Sequence, residues 1–254
     1  MTFRLLTYNI MHGGGDRVGA IAEVIRGCAP DLVLLQEAVN PLNVRRIAEL
    51  SGMSDHRSVP GESLACVSRD KVAFCEWVRP RVSRHAFIEV VPAGERMRVF
   101  GVHLSAVIAA WTEQRRVMEL RALLRSIEQH RDRFHVLVGD FNTIAPGATV
   151  KAAQLPLRLR PLLWLTGGRV QWRTIQTVLD AGYVDTFRML HPDDPGLTLP
   201  TSDPLLRLDY VFLPHAQAGK IIKCEVVRNA LAVGASDHFP VLSELQIDGG
   251  PATP

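Results

Sequence analysis

HVLVGDFNT, residues 135 to 143, is the stretch whose reading decides the fold. Val136, Leu137 and Val138 form a short apolar run suited to a buried strand, and the run passes directly into Gly139, Asp140, Phe141 and Asn142. An acid and an amide at the end of a core strand would cost several kcal/mol if buried without partners, roughly 2–7 for an amide or hydroxyl alone. The strand is therefore expected to end at a polar site. The same shape recurs along the chain: Asn9 closes LLTYN, Glu37 closes LVLLQE and His103 closes VFGVH. Asp209 stands within RLDYVFL, and Ser236, Asp237 and His238 lead SDHFPV. Read singly, Asn9 and Asp209 suit a turn or cap, Glu37 suits the start of a helix, and His103 suits a satisfied buried imidazole. Together they describe strand ends that converge, and rigid strand ends can hold acids, amides and imidazoles at fixed separations.

Further runs of strand length are FRLLTYNI, LACVSR, VAFCEWV, AFIEVV and PVLSELQI, many of them bounded by Gly, Pro or Asp. EVVPAGERMRVFGVHL carries a Pro-Ala-Gly-Glu turn and reads as a hairpin. Helical spacing is clear at Val18, Ile21, Ala22 and Ile25, with Asp16 as the expected cap, and at Val117, Leu120, Leu123, Leu124 and Ile127 in a helix from about 111 to 130. RTIQTVLDAGYVDTF reads as a short helix with Gly182 near its end, inside a less regular region from 143 to 204. Strands outnumber helices, which predicts packed sheets with helices on their outer faces. A single domain over residues 1–248 with a flexible tail at 249–254 is expected.

Composition narrows the function classes. A chain of 254 residues buries roughly 70–75% of its unfolded surface. No run is long and apolar enough to span a bilayer, and LLTYNIM is too short for a signal core, so an unprocessed cytoplasmic chain is expected, and a monomer. Cys28, Cys66, Cys75 and Cys224 lack the spacing of a zinc site or a disulfide framework and read as free thiols. The net charge of +3 and pI near 8.8 permit a phosphate-bearing partner without requiring one. All but four of the 29 cationic residues (Lys71, Lys151, Lys220 and Lys223) are arginine, the side chain suited to bidentate phosphate contacts.

The polar inventory selects a chemistry. Glu37, Asp140 and Asp237 offer hard oxygen ligands, without cysteine and without clustered histidine, which suits Mg²⁺, Mn²⁺ or Ca²⁺ rather than zinc. Phosphoester hydrolysis needs a cation for the non-bridging oxygens, a base for water and donors for the developing charge. Asp209 can fix the tautomer of His238 through one ring nitrogen, leaving the other for chemistry.

On TYNI, LLQE, GVHL, GDFN, RLDYVF and SDHFPV, in order from residue 7 to 241, the chain resembles the endonuclease/exonuclease/phosphatase superfamily, the DNase I-like proteins. The resemblance implies an α/β four-layer sandwich, two stacked mixed β-sheets flanked by helices. It implies an Mg²⁺- or Mn²⁺-dependent phosphodiesterase with Glu37 as principal metal ligand, Asn9 beside it, and Asp237 completing the metal side. It further implies that His238, oriented by Asp209, activates water or contacts the phosphate. Asp140 would position or deprotonate the water, Asn142 would hold a phosphate oxygen, and His103 would donate to the scissile phosphate. Where His103 stands, abasic-site endonucleases of this superfamily usually carry Tyr, and Met11 stands where they commonly carry Asp, which argues against abasic-site repair as the main activity. Three functions follow: cleavage of DNA or RNA, sphingomyelinase-like lipid hydrolysis with peripheral lipid contact through residues 155–172, or a scaffold without catalysis. Arg158, Arg160, Arg169 and Arg173 suit backbone phosphates in the first, and Leu162, Leu163, Trp164 and Leu165 suit a membrane interface in the second.

Overall fold

The structure, a computed structural model, describes residues 1–81, 83–94, 97–106, 110–130, 133–148 and 172–247. One six-stranded sheet contains β1 (Thr2–Asn9), β2 (Leu32–Gln36), β3 (Asp55–Arg57), β4 (Ala65–Ser68), β11 (Ile221–Val226) and β12 (Val241–Gln246), in the order β11-β12-β1-β2-β4-β3. The other contains β5 (Val72–Val78), β6 (Phe87–Pro92), β7 (Arg98–His103), β8 (His135–Asp140), β9 (Tyr183–Asp185) and β10 (Asp209–Pro214), in the order β5-β6-β7-β8-β10-β9. Each sheet has a parallel pair at its centre, β1–β2 and β7–β8, with antiparallel neighbours on both sides. The helices are α1 (Val18–Cys28), α2 (Pro41–Ser51), α3 (Ala110–Ile127), α4 (Arg173–Asp180), α5 (Thr186–Leu190) and α6 (Ala230–Ala235).

Three apolar layers hold the sandwich together. Between the sheets, Phe3, Leu5, Leu32 and Leu34 meet Ile88, Val99, Val136, Val138 and Val211. On the far side of the first sheet, Leu6, Tyr8, Val33 and Leu35 pack under Ile21, Ile25, Val44, Ile47 and Ala232 of α1, α2 and α6. On the far side of the second, Phe100, Val102, Leu137 and Phe212 pack under Leu120, Leu123, Ile175 and Val178 of α3 and α4. The four-layer arrangement expected from the motifs is the one observed.

Side chains alternate across a strand, and this alternation places the polar residues. Counting two residues on from inward-facing Leu5, through Thr7, gives Asn9. Counting on from Val136 and Val138 gives Asp140, from Val99 and Gly101 gives His103, and back from Val211 gives Asp209. The inter-sheet core and the polar cluster are thus one layer, apolar through most of its length and polar at one end. A buried Thr7–Gln36 hydrogen bond of 3.2 Å marks the change.

Some local expectations are corrected. Asp16 does not cap a helix through its side chain: it lies in a 3₁₀ turn, His12–Arg17, containing three glycines with positive φ, and α1 follows without a side-chain cap. Helix α3 ends at Ile127 and continues as a 3₁₀ turn to His130. The 249–254 tail, and the 155–172 segment apart from Trp172, lie outside the described residues. No helix among the described residues is long and apolar enough to cross a membrane.

Candidate active site

Strand register brings the candidates together. His103 and Asp209 are both paired with Asp140 across β8, so three functional side chains stand in a row at one end of the second sheet. In the first sheet Asn9 is paired with Gln36, which puts Glu37 just past the strand end beside it. His238 lies three residues before β12, the other neighbour of β1. Gly139 has a structural reason: with φ at +140°, a Cβ there would lie 2.1 Å from the Val102 carbonyl oxygen, so only glycine lets β8 approach β7 closely enough for this register. Glu37 and Asn142 both adopt left-handed backbone, φ 57° and 51°, which ends each strand sharply and turns the side chain back into the cluster.

Hydrogen bonds then join the two sheets. Asn9 Nδ2 donates to Asp140 Oδ2 at 3.1 Å and lies 3.4 Å from Glu37 Oε1, while its Oδ1 accepts from the Met11 N–H at 3.0 Å. Glu37 Oε2 accepts from the His12 N–H at 2.7 Å. Asn142 gives its backbone N–H to Asp140 Oδ1 at 2.8 Å and its amide to Asp140 Oδ2 and the Leu104 carbonyl. His238 Nδ1 and Asp209 Oδ2 are 2.8 Å apart. Ser236 hydrogen-bonds the Asn9 carbonyl at 2.7 Å and so ties the SDH turn to the end of β1. Asp237 is half-buried, its carboxylate 3.4 Å from Ser236 Oγ and its carbonyl held by the Thr201 N–H.

The electrostatics follow from burial and proximity. Burial alone would lower the His238 pKa, but the charge and hydrogen bond of Asp209, with the charges of Asp140 and Asp237, outweigh it and raise the pKa to about 10. Burial, followed by the Asp209 charge, raises Asp140 to about 7, against the opposing pull of His238 and the N–H donors of Asn142 and Asn9. Burial, then the neighbouring His85 and His238, lowers His103 to about 3. Asp140, His103 and His238 thus share one buried volume with different protonation preferences.

The donor set fits a hard divalent cation. Ligand atoms of Asp140, Asp209 and His238 lie within 4.8 Å of one another, and buried Asp209 Oδ1 has no hydrogen-bond partner among the described residues. Glu37, joined to this group through Asn9, adds a partly exposed carboxylate. Asp237 and Glu37 do not belong to the 4.8 Å group.

Sequence reasoning missed two supporting sets. Ser63 is buried between the Glu37 N–H and the His103 ring, and His85 stacks on that ring at 4.7 Å with 7° between planes. On α3, buried Glu113 binds Arg116, Thr143 and both the N–H and hydroxyl of Thr174, while buried Glu119 holds Ser105 and the Arg84 N–H. The residues after His103 and Asn142 are thereby fixed to one helix. The only sequence signal for this set was Glu and Arg at helical spacing beside an apolar stripe.

Several solved structures share the whole architecture. A 3′ phosphatase from Neisseria bound to a product DNA hairpin is 20% identical with a TM-score of 0.73, covering 96% of this chain and 99% of that one. An AP endonuclease from Archaeoglobus fulgidus is 18% identical with a TM-score of 0.71, covering 96% and 100%. An endonuclease/exonuclease/phosphatase from Beutenbergia cavernae is 22% identical with a TM-score of 0.68, covering 99% of this chain and 73% of its own. No curated protein matches the sequence closely. Residues 6–238, from the first strand to the histidine of SDHFPV, match the Endonuclease/Exonuclease/phosphatase family, and the chain belongs to that family.

Proposed function

We propose that the protein is a divalent-metal-dependent phosphodiesterase acting on nucleic acid. The observation that carries the reading is the convergence of Asn9 and Glu37 from one sheet with His103, Asp140, Asn142 and Asp209 from the other, closed by His238. A Mg²⁺ or Mn²⁺ ion would be held by Glu37 and Asp237 with Asn9 beside them, and when bound it would neutralise the non-bridging phosphate oxygens. His103 donates a hydrogen bond to the phosphate, while Asn142, whose N–H groups go to Asp140 and the Leu104 carbonyl, holds the Asp140 carboxylate in place. The proton of the attacking water passes to the Asp140–Asp209–His238 cluster, whose close coupling makes proton uptake a property of the group. Asp209 holds the His238 ring by Nδ1 and leaves Nε2 toward the substrate. A nucleic-acid substrate is supported by the family and by structural relatives described as a 3′ phosphatase bound to DNA and an AP endonuclease.

The test is turnover of plasmid DNA, single-stranded oligonucleotides, sphingomyelin vesicles and bis-p-nitrophenyl phosphate with Mg²⁺ or Mn²⁺, and with chelator. Metal-dependent cleavage of a nucleic acid is expected. Turnover of sphingomyelin with no cleavage of any nucleic acid would replace the substrate, and no turnover of any ester would remove the enzyme.

A further inference from the structure

We propose that Ser63 is a positioning residue that locks His103 in the tautomer carrying its proton on Nε2, aimed at the substrate phosphate. The inference rests on the phosphodiesterase reading and deepens it. Ser63 lies just before β4 of the first sheet, whereas His103 ends β7 of the second, so this contact crosses between the sheets.

A count of hydrogens decides the tautomer. A serine hydroxyl has one proton to give and lone pairs to receive with. The Glu37 N–H, which can only donate, points at Ser63 Oγ at 3.2 Å. Ser63 Oγ also meets His103 Nδ1, and it has no other partner among the described residues. Were Nδ1 protonated, two donors would point at the oxygen, and the hydroxyl proton would be buried without an acceptor, at a cost of about 1–3 kcal/mol. With Nδ1 as acceptor both contacts of the hydroxyl are satisfied: Glu37 gives to Ser63, and Ser63 gives to His103.

The other ring nitrogen then carries the proton. Nε2 lies 3.8 Å from Asp140 Oδ2, beyond hydrogen-bond reach, and so faces the cluster with its N–H uncommitted. The ring cannot swing away, because His85 stacks flat against it. His85 is itself held through its neighbour Arg84, whose N–H is bound by buried Glu119. One hydroxyl thus sets both the backbone of the proposed ion ligand Glu37 and the donor that faces the phosphate.

The experiment reads the ring directly. Protein labelled with ¹⁵N-histidine is observed by long-range ¹⁵N–¹H correlation near neutral pH without metal, and the His103 signals are identified by their loss in His103→Gln. The Nε2–H pattern is expected in the wild type and in Ser63→Thr, which keeps the hydroxyl. In Ser63→Ala the pattern should average between tautomers, and turnover of bis-p-nitrophenyl phosphate should fall about tenfold or more. Adding His103→Gln to Ser63→Ala should then cost less than it costs the wild type. An Nδ1–H pattern in the wild type overturns the proposal even if the alanine variant fails to fold, and so does an unchanged ring pattern in a folded Ser63→Ala protein. If the ring responds as expected while no phosphodiester is turned over, the positioning role stands and the enzymatic reading falls.

Discussion

At the scale of single residues, the site is made of groups whose ionisation is set by their neighbours. Asp209 keeps the buried His238 ring in place through a 2.8 Å contact, so Asp209→Asn should lower turnover about 10–100-fold while the melting temperature changes little. Steady-state kinetics beside a thermal melt checks both halves, and an unfolded variant would show that the contact is structural. A second prediction concerns stability against pH. Burial lowers the pKa of His103, to about 3, and of His135, whose ring contacts the Arg133 carbonyl and the Tyr183 hydroxyl. In the unfolded chain both titrate near 6.5 and take up protons that the folded protein refuses. Their contribution to stability is therefore present above the ordinary imidazole range and is lost as pH falls through it, by up to about 1.4 kcal/mol per pH unit for each ring. Asp140 and His238, whose pKa values are raised, act in the opposite sense but equally in both proteins, so in urea titrations of chelated protein at pH 7.5, 6 and 5 the wild type should lose stability relative to His135→Asn as pH falls. Legibility at this scale was high for side chains that interrupt an apolar run. It was poor for Ser63, since a serine in a loop gives no pattern, and its significance lies in two atoms from distant segments.

At the scale of elements, periodicity gave the central strands because their buried faces are continuous. It failed where the regularity itself fails. Strand β11 escaped notice because a register shift between Ile221 and Lys223 breaks its alternation, and β3 and β9 are only three residues each. Helix α3 showed its stripe at Leu120, Leu123 and Ile127, but before that stripe it buries Thr112, Glu113, Arg116 and Glu119, which no apolar pattern marks. Glu113→Ala should cost about 3–5 kcal/mol, because it removes the carboxylate facing the buried Arg116 guanidinium together with the hydrogen bonds Glu113 accepts from Thr143 and Thr174. Urea denaturation measures the loss, and a change below 1 kcal/mol would mean that these contacts are dispensable. Gly139→Ala is expected to be at least as damaging, since a methyl group would meet the Val102 carbonyl and part β8 from β7.

For the whole molecule, the two sheets present their polar ends to a common centre. A cation bound there would be liganded by groups from both sheets, and ligands that bind only the folded state raise its stability by mass action. Adding Mn²⁺ or Mg²⁺ should raise the melting temperature in a concentration-dependent way, and the rise should shrink in Glu37→Gln, which offers a neutral amide in place of a carboxylate. Scanning calorimetry across a metal series tests this, and an equal rise in both proteins would remove Glu37 from the ion's ligands.

Because side chains alternate along β8, sliding it by a single position against β7 would put Gly139 or Phe141 where Asp140 stands and send the carboxylate among the phenyl rings under α3. A misassembled sheet would then be inert rather than merely sluggish. Catalysis in this chain doubles as proof of correct assembly, so impaired preparations should contain fewer working molecules, each turning over at full speed.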